Sequence, residues 1–452
     1  MTDVKHGWLS TAMMFALFLY MCVPENVLEL RPPLTYAEEA AAGPNPFYRL
    51  LKYALLIAGF GVIIWRSALA RQVISKVNVF LLAFVALVGL SITWSITPSA
   101  TVLRLAAIMT ICIVSWSFVL TNWHPKRLEQ VIRPTLTLFL LVSLIVGPLL
   151  PDITKEVGDT VSLENAWRGI FTSKNTFGQA ASVAVILWVH AWLTDEVKIW
   201  RFLAGAGISV ACVLLSRSST ALLATVLVAP LQVVLLREKI RTSRVAPYLI
   251  AVLLGIMVLY SMVVLNIIPG VDVLLGALTE SFGKDTTFSG RAILWEYLRQ
   301  HIALHPILGT GYGAYWIGPV PTSPSYIFVV LGLGYPPEGH NGYLDLINDL
   351  GFVGFGCLVG YVWVYFQQSI MLRKREPLAL LGIALLFQQL IENSTQSMWL
   401  QSSSIPFVVM TTMSFGMARI LVDQKYQAAA VAPRSPVRGK GTSRIMSGQA
   451  ER

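Results

Sequence analysis

The chain alternates between long uncharged apolar runs and short polar connections. A helix needs about 17–25 apolar residues to cross a bilayer. A scan for such runs predicts twelve spanning helices, the weakest being the short runs near 52–65, 202–216 and 378–392. The predicted spans lie near 8–23, 52–65, 77–94, 103–121, 134–150, 176–193, 202–216, 220–236, 246–268, 341–366, 378–392 and 403–422. This pattern predicts an all-α, polytopic membrane protein.

The lysine and arginine residues in the connections indicate how these spans are oriented. If the N-terminus is cytoplasmic, 22 of the 34 basic residues fall on the cytoplasmic side, in short connections and in the two termini, as the positive-inside rule requires. If one predicted helix were added or removed, the basic residues would no longer gather on one side of the membrane. We therefore predict that both termini are cytoplasmic and that residues 269–340, between helices 9 and 10, form a long periplasmic loop. A loop of this length is usually functional.

Two regions follow from this pattern. Residues 1–426 form the transmembrane domain, which includes the loop 269–340. Residues 427–452 are rich in Ala, Pro, Ser, Gly and Arg and show no apolar periodicity. We expect this second region to be a disordered, basic cytoplasmic tail.

The composition supports the membrane prediction and narrows the function. Hydrophobic residues make up 55% of the chain and charged residues 13%, and the mean hydropathy is +0.65. A soluble domain carries roughly 25% charged residues. The net charge of +10 is explained by topology and by attraction to an anionic inner leaflet. No basic patch alternates with aromatic residues, so nucleic acid is not an expected partner. The four cysteines lie in apolar spans without metal-ligand spacing.

The edge of the tenth span carries an unusual set of polar residues. His340 precedes Asn341, and in a helix Asn341, Asp345 and Asp349 would be four residues apart on one polar stripe. Ionisable groups at membrane depth are costly and commonly mark functional sites. The alternative for His340 is a helix cap at the membrane interface.

A helix is predicted inside the long outer loop, capped by Ser289 and ending before Pro306. Its apolar stripe is Trp295, Leu298 and Ile302. Arg291 projects from the same side in the first turn, where the helix dipole disfavours a cation. An arginine at this position is best explained if it holds an anion, and its planar guanidinium suits phosphate. The alternative is a pairing with a nearby acid such as Asp285.

Two further cations belong to the outer side. Arg217 is the only charge in a short hairpin between two spans, among serine and threonine hydroxyls. Lys174 and Asn175 stand at the head of the sixth span, where they could also meet an anion. The alternatives are an arginine that extends towards lipid headgroups and an interfacial lysine anchor.

Two other patterns are set aside. The glycines at 309, 311 and 313 resemble a nucleotide-binding fingerprint, but no βαβ unit surrounds them, so a glycine-rich turn is expected. His301 and His305 are one helical turn apart without a third ligand beside them, so we expect no metal site.

Taken in order, these motifs resemble the O-antigen ligase/polymerase superfamily of bacterial envelope glycosyltransferases, and most closely its exopolysaccharide-polymerase branch. The matching pieces are Phe171–Asn175, Ser216–Ser218, Gly290–Arg291 with Trp295, Pro306–Gly313 including Tyr312, and His340–Asn341 followed by Gly351. Two positions depart from the family pattern: Asp349 is often glutamate in relatives, and Trp295 stands where ligases commonly have leucine. The second departure favours a polymerase.

The resemblance implies a GT-C-like fold and a metal-independent, inverting transfer of glycan from a polyprenyl pyrophosphate on the periplasmic face. Arg217 and Arg291 would hold the pyrophosphate and His340 would act on the acceptor hydroxyl. The implied substrate-binding residues are Lys174, Asn175, Asn341, Asp349, Trp295 and Tyr312.

The same resemblance implies no cofactor and no metal, and a location in the bacterial inner membrane. The implied partners are the polyprenyl-pyrophosphate-linked oligosaccharide and the bilayer, together with a chain-length regulator and a flippase. Two alternatives stay open: an O-antigen ligase that delivers the glycan to lipid A-core or protein, and a secondary transporter or flippase.

Overall fold

The structure is a computed structural model that describes residues 7–32, 45–156, 166–245, 247–248, 250–256, 288–332, 335–401 and 403–431. Within these residues the chain is helical, apart from turns, loops and one isolated β-bridge between Lys155 and Trp167. The predicted all-α class is confirmed.

We number the helices of eight or more residues in chain order. They are α1 (Gly7–Cys22), α2 (Pro46–Trp65), α3 (Ser67–Ile74), α4 (Val79–Leu90), α5 (Pro98–Leu120), α6 (Arg127–Leu149), α7 (Lys174–Leu193), α8 (Ile199–Leu215), α9 (Ser219–Leu236), α10 (Phe288–Leu304), α11 (Gly342–Leu372), α12 (Leu378–Asn393) and α13 (Ile405–Val431). Short helical turns at Glu25–Leu28, Pro151–Thr154, Glu238–Arg241 and Ile327–Val330 lie in the connections.

Seven described helices are long and apolar enough to cross a bilayer, namely α2, α5, α6, α7, α9, α11 and α13. An eighth crossing is formed if α3 and α4 are counted together across a bend of 100°. Helices α1, α8 and α12 are apolar but shorter. Of the predicted span 246–268, residues 250–256 are helical and residues 257–268 lie outside the described part. The protein is a polytopic membrane protein, and the number twelve stays a prediction.

Helices α7 and α13 form the centre of the bundle. The apolar window of α7 is 83% buried and that of α13 is 89% buried, whereas that of α2 is 22% buried. The exposed side chains of α2 are large and apolar, including Ile57 and Ile64. Such a surface suits lipid rather than water. The peripheral helices therefore separate a well-packed interior from the bilayer.

Helix α11 is interrupted inside the bundle. At Gly351 the backbone has φ 64° and ψ −167°, so two helical pieces meet at a kink. The loop after α10 bonds the groups that the kink releases: Thr310 N–H donates to the Asn348 carbonyl and Phe352 N–H to the Pro306 carbonyl, at 3.0 and 2.8 Å. Unpaired backbone groups are costly in a membrane, so a broken helix needs such a partner. The loop 305–313 supplies it.

Two predicted boundaries are wrong. Helix α10 already includes Ser289, so this serine is not the N-cap. Helix α13 continues past Gln427 to Val431, into the predicted tail. The run Ala428–Ala430 explains the extension, since alanine has the highest helix propensity. Residues 432–452 of the predicted tail lie outside the described residues.

The kink leads to a test of stability. A Cβ at Gly351 would lie 2.1 Å from the Ile307 carbonyl oxygen, and its backbone conformation is one that only glycine adopts readily. We expect Gly351→Ala to destabilise the protein by about 1–3 kcal/mol or more, measured as a lower Tm in detergent. Gly356→Ala is the matched control, because a Cβ there meets nothing within 4 Å. Equal Tm values for the two variants would contradict the proposed role of the kink.

Candidate functional site

Several connections meet at one end of the bundle, around Thr395 in the turn after α12. The Thr395 carbonyl accepts a hydrogen bond from Arg291 Nη1 at 3.3 Å. The Thr395 hydroxyl lies 2.6 Å from the Thr220 hydroxyl, in the first turn of α9. In the same turn, the Gln396 carbonyl accepts from Gly342 N–H at 3.0 Å. The starts of α9, α10 and α11 are thus tied to one short segment.

The three predicted cations lie in this region. Arg217 is exposed in the hairpin between α8 and α9, with φ 50°. The hairpin packs tightly on α7, since a Cβ at Gly178 would lie 2.8 Å from the Ser216 hydroxyl. Lys174 begins α7, and the charges of both Arg291 and Arg217 act on it. The structure therefore gathers Lys174, Arg217 and Arg291 into what we call the cation cluster.

Two acids that the sequence analysis did not select accompany these cations. Glu156 Oε2 accepts a hydrogen bond from Lys174 N–H at 2.7 Å. Burial raises the pKa of Glu156, while this hydrogen bond and the charges of Arg168 and Lys174 oppose the rise. Glu338 acts on Arg291: burial lowers the pKa of the Arg291 guanidinium, and the charge of Glu338 opposes that effect. Glu338 lies two residues before His340. This proximity to a candidate site residue is the signal by which the sequence could have indicated Glu338.

His340 lies in the connection between α10 and α11, two residues before α11 begins. Its side chain is 27% exposed and its Nδ1 lies 3.1 Å from Glu338 Oε1. Its backbone is in the left-handed region, with φ 49°. The preceding residue fixes this conformation, because Gly339 N–H donates to Asp345 Oδ2 at 2.8 Å and its carbonyl accepts from Trp295 Nε1 at 2.9 Å. His340 is thus partly accessible on a well-held backbone.

Asp345 joins three segments beneath His340. Besides the bond from Gly339, its carboxylate accepts from Trp316 Nε1 at 2.9 Å and from the Ser397 hydroxyl. The side chain is buried, so these donors replace water around the charge. Asp345 was predicted as part of a polar stripe. The structure gives it a specific partner in each segment that borders the site.

The predicted binding residues fall into two groups. Lys174 and Asn175 are partly exposed at the head of α7. Trp295, Tyr312, Asn341 and Asp349 are buried. Asn341 caps α11 by accepting from Tyr343 and Leu344 N–H, each at 3.1 Å. Tyr312 donates its hydroxyl hydrogen to the Leu400 carbonyl. The buried group therefore supports the backbone of the site.

The continuous polar stripe was an incomplete prediction. Asn341 is the cap of α11 rather than a residue within it, and Asp349 lies next to the kink. The Asp349 carboxylate accepts from Gly313 N–H at 2.7 Å. The glycine-rich segment 309–313 is the expected turn, with positive φ at all three glycines. This turn covers the buried Asp349, which therefore lies beneath the segment 309–313.

The described residues contain no group of three or more His, Cys, Asp or Glu side chains that could hold a metal ion. His301 instead has its Nδ1 2.8 Å from the Asn348 side-chain oxygen. Its ring also lies 4.6 Å from that of Tyr315, centroid to centroid. These contacts give His301 a packing role between α10 and α11.

Comparison with known proteins adds two findings. Residues 204–359 match the family model described as O-antigen ligase. This interval includes Arg217, Arg291 and His340. The chain is also 31% identical, over 234 residues, to "Exopolysaccharide production protein ExoQ" of Rhizobium meliloti (strain 1021).

The aligned region covers 48% of this chain and 52% of that relative, so the chain spans about half the length of the curated relative it matches. Both findings agree with the motifs that the sequence presents between Phe171 and Gly351. The chain is therefore similar to the O-antigen ligase family over residues 204–359, and to an exopolysaccharide production protein over about half of its own length.

Proposed function

We propose that this protein polymerises polyprenyl-pyrophosphate-linked oligosaccharide repeat units into exopolysaccharide at the outer face of the bacterial inner membrane. The observation that carries the proposal is the cation cluster beside His340, at one end of an apolar bundle. A lipid-linked donor would place its polyprenyl chain along the bundle and its pyrophosphate among Lys174, Arg217 and Arg291. Both termini are cytoplasmic in this proposal.

The proposed reaction is a displacement at the anomeric carbon of the donor. The acceptor hydroxyl oxygen forms a bond to that carbon as the bond from the carbon to the pyrophosphate oxygen breaks, with inversion. His340 takes the proton of the acceptor hydroxyl, and the bonding electron pair leaves with the polyprenyl pyrophosphate. Arginine and lysine stabilise the charge of this leaving group, so the proposal needs neither metal nor cofactor.

The acids near the cations fit the same reaction. Glu338 lies against His340 Nδ1 and its charge acts on Arg291. Pyrophosphate would compete with Glu338 for Arg291. Glu338 would then orient the imidazole, so that the other ring nitrogen faces the acceptor hydroxyl. A chain-length regulator and a flippase are the partner classes that a polymerase would need.

A ligase that delivers the glycan to lipid A-core or protein is the second candidate, because the matched family model is described as O-antigen ligase. A transporter is disfavoured because the cations lie at the end of the bundle, whereas transporter sites lie near the midplane. Purified protein should be incubated with lipid-linked repeat units. A ladder of products supports the polymerase, a single transfer to another acceptor supports the ligase, and no transfer with either acceptor rejects both.

The arginines allow a test that retains charge. Arg291→Lys and Arg217→Lys should each lower turnover about 10- to 100-fold, because a lysine cannot reproduce the paired hydrogen bonds of guanidinium to phosphate. The measurement is the initial rate of product formation at equal amounts of folded protein. Arg299→Lys is the control, since Arg299 lies on the same helix and pairs with Glu296 at its surface. Full activity in either site variant would exclude that arginine as a pyrophosphate ligand.

His340 requires a variant that tolerates its backbone conformation. At φ 49° an alanine would add strain, whereas asparagine adopts the left-handed region more readily. We expect both His340→Ala and His340→Asn to lower kcat by about 10²-fold or more, the scale of general-base catalysis. Donor affinity should persist, because the cations supply it. The exposed His305→Asn should behave like the wild type. Near-normal kcat in His340→Asn would exclude His340 as the general base; the expected alternative of a helix cap is already taken by Asn341.

Asp345 tests how the site is held in place. The groups bonded to its carboxylate are all donors, so an amide NH₂ at this position would face another donor. Asp345→Asn should therefore lower kcat and cost about 1–3 kcal/mol of stability, while donor affinity changes little. Asp152→Asn, in an exposed outer connection, is the control. A variant with a lower Tm and an unchanged kcat would show that Asp345 only stabilises the fold.

A further inference from the structure

A cavity of about 290 Å³ lies at the outer end of α1, beside the start of α2. Its polar lining consists of Tyr20, Glu25, Tyr48, Thr172 and Ser403. The apolar lining consists of Met21, Val23 and Pro24. The volume is at the lower end of the roughly 300–1,000 Å³ typical of ligand pockets, which suits one or two sugar residues.

The two aromatic rings give the cavity a defined shape. The rings of Tyr20 and Tyr48 are 6.0 Å apart between centroids and inclined by 48°. The Tyr48 hydroxyl donates to the Val23 carbonyl, which holds this ring in place. Aromatic faces at an angle offer a surface for the C–H groups of a pyranose ring. Binding costs little side-chain entropy where the ring of the protein is already held in place.

The polar groups suit a neutral, hydroxyl-rich ligand. Glu25 is the charged residue of the lining, and its Oε1 lies 3.2 Å from Arg31 Nη2. A carboxylate held in this way can still accept hydrogen bonds from sugar hydroxyls, while it repels phosphate. Thr172 and Ser403 add hydroxyl groups that can donate or accept. The cavity is therefore complementary to a sugar and not to a pyrophosphate.

The position of the cavity relates it to the cation cluster. Thr172 is two residues before Lys174, in the turn that enters α7. The Thr172 carbonyl accepts from Arg168 Nη1 at 3.3 Å, which ties this turn to the buried chain beneath it. A glycan whose pyrophosphate lies among the cations would thus have a sugar-sized cavity close to it.

We infer that this cavity is a saccharide subsite, which binds a sugar residue of the glycan at a distance from the pyrophosphate. The inference rests on the proposed function, because the position matters only if a glycan is bound at the cation cluster. The inferred subsite consists of residues that the chemical step itself does not require. The subsite would select which glycan is used, while the cation cluster recognises the carrier shared by all lipid-linked donors.

The test uses the full-length protein in detergent and a lipid-free probe. The probe is the oligosaccharide released by mild acid from the lipid-linked repeat units of the cells that express the protein. Binding is measured by saturation-transfer NMR and by titration calorimetry. Tyr20→Ala and Glu25→Gln should each weaken the Kd at least about tenfold.

Two control variants match these changes outside the cavity. Glu29→Gln removes an acid that pairs with the same Arg31, at 2.5 Å, and Tyr53→Ala removes an exposed tyrosine of α2. Both should keep the Kd of the wild type. In turnover assays the cavity variants should raise the KM for glycan and leave kcat within about twofold.

The outcomes separate this inference from the proposed function. Unchanged Kd values in both cavity variants, or no binding of the oligosaccharide to the wild type, would overturn the subsite. Equal losses in the cavity variants and in the control variants would also overturn it. Oligosaccharide binding that is lost only in the cavity variants would support the subsite even if the lipid-linked donor were not turned over, in which case the proposed polymerase activity alone would be wrong.

Discussion

The end of the bundle that carries the cation cluster depends on a helix that is interrupted at a buried position. A continuous α11 would pair its own backbone groups and could not form its hydrogen bonds with the loop 305–313. The kink at Gly351 instead releases carbonyls and N–H groups that this loop must bond. Once the loop is held there, Trp316 can donate to Asp345, and Asp345 can hold Gly339. The position of His340 therefore follows from a backbone requirement far from its own side chain.

Electrostatics supports the proposal that the cation cluster binds an anion. Cations brought together at a partly buried site repel each other, and the repulsion is stronger than in water because the effective dielectric is lower. Glu156 offsets this near Lys174, and Glu338 offsets it near Arg291. Within the described residues the cations of the cluster still outnumber these two acids. A pyrophosphate would relieve the remaining repulsion, so that part of its binding free energy comes from strain already present in the protein.

The sequence predicted the apolar helices and the cations well, because hydropathy and charge are local properties. It also selected His340 and Arg291 as candidates, through motifs whose order along the chain is specific, and their roles stay predictions. The kink was not predictable from the stripe of Asn341, Asp345 and Asp349, since that spacing fits an uninterrupted helix equally well. Glu156 acts on Lys174 across a connection whose path no local pattern describes. The roles of Trp295 and Tyr312 depend on contacts with distant carbonyls, which only the fold brings near.

The opposite end of the bundle carries a second cluster of charged residues. There Glu129 Oε1 lies 2.8 Å from His190 Nδ1, and Glu196 lies 3.6 Å from Arg133 and 3.4 Å from Lys126. Glu129, Arg133 and His190 are buried, and each of the two acids has a basic partner inside the cluster. The cation cluster differs in accessibility, because Lys174, Arg217 and Arg291 all have access to solvent, whereas Arg133 and His190 of the opposite cluster are buried. Accessibility, rather than an excess of basic residues, therefore distinguishes the two clusters, and the proposal that the cation cluster holds a pyrophosphate depends on this access, since an anion from outside the bundle can reach these basic side chains but not the buried ones.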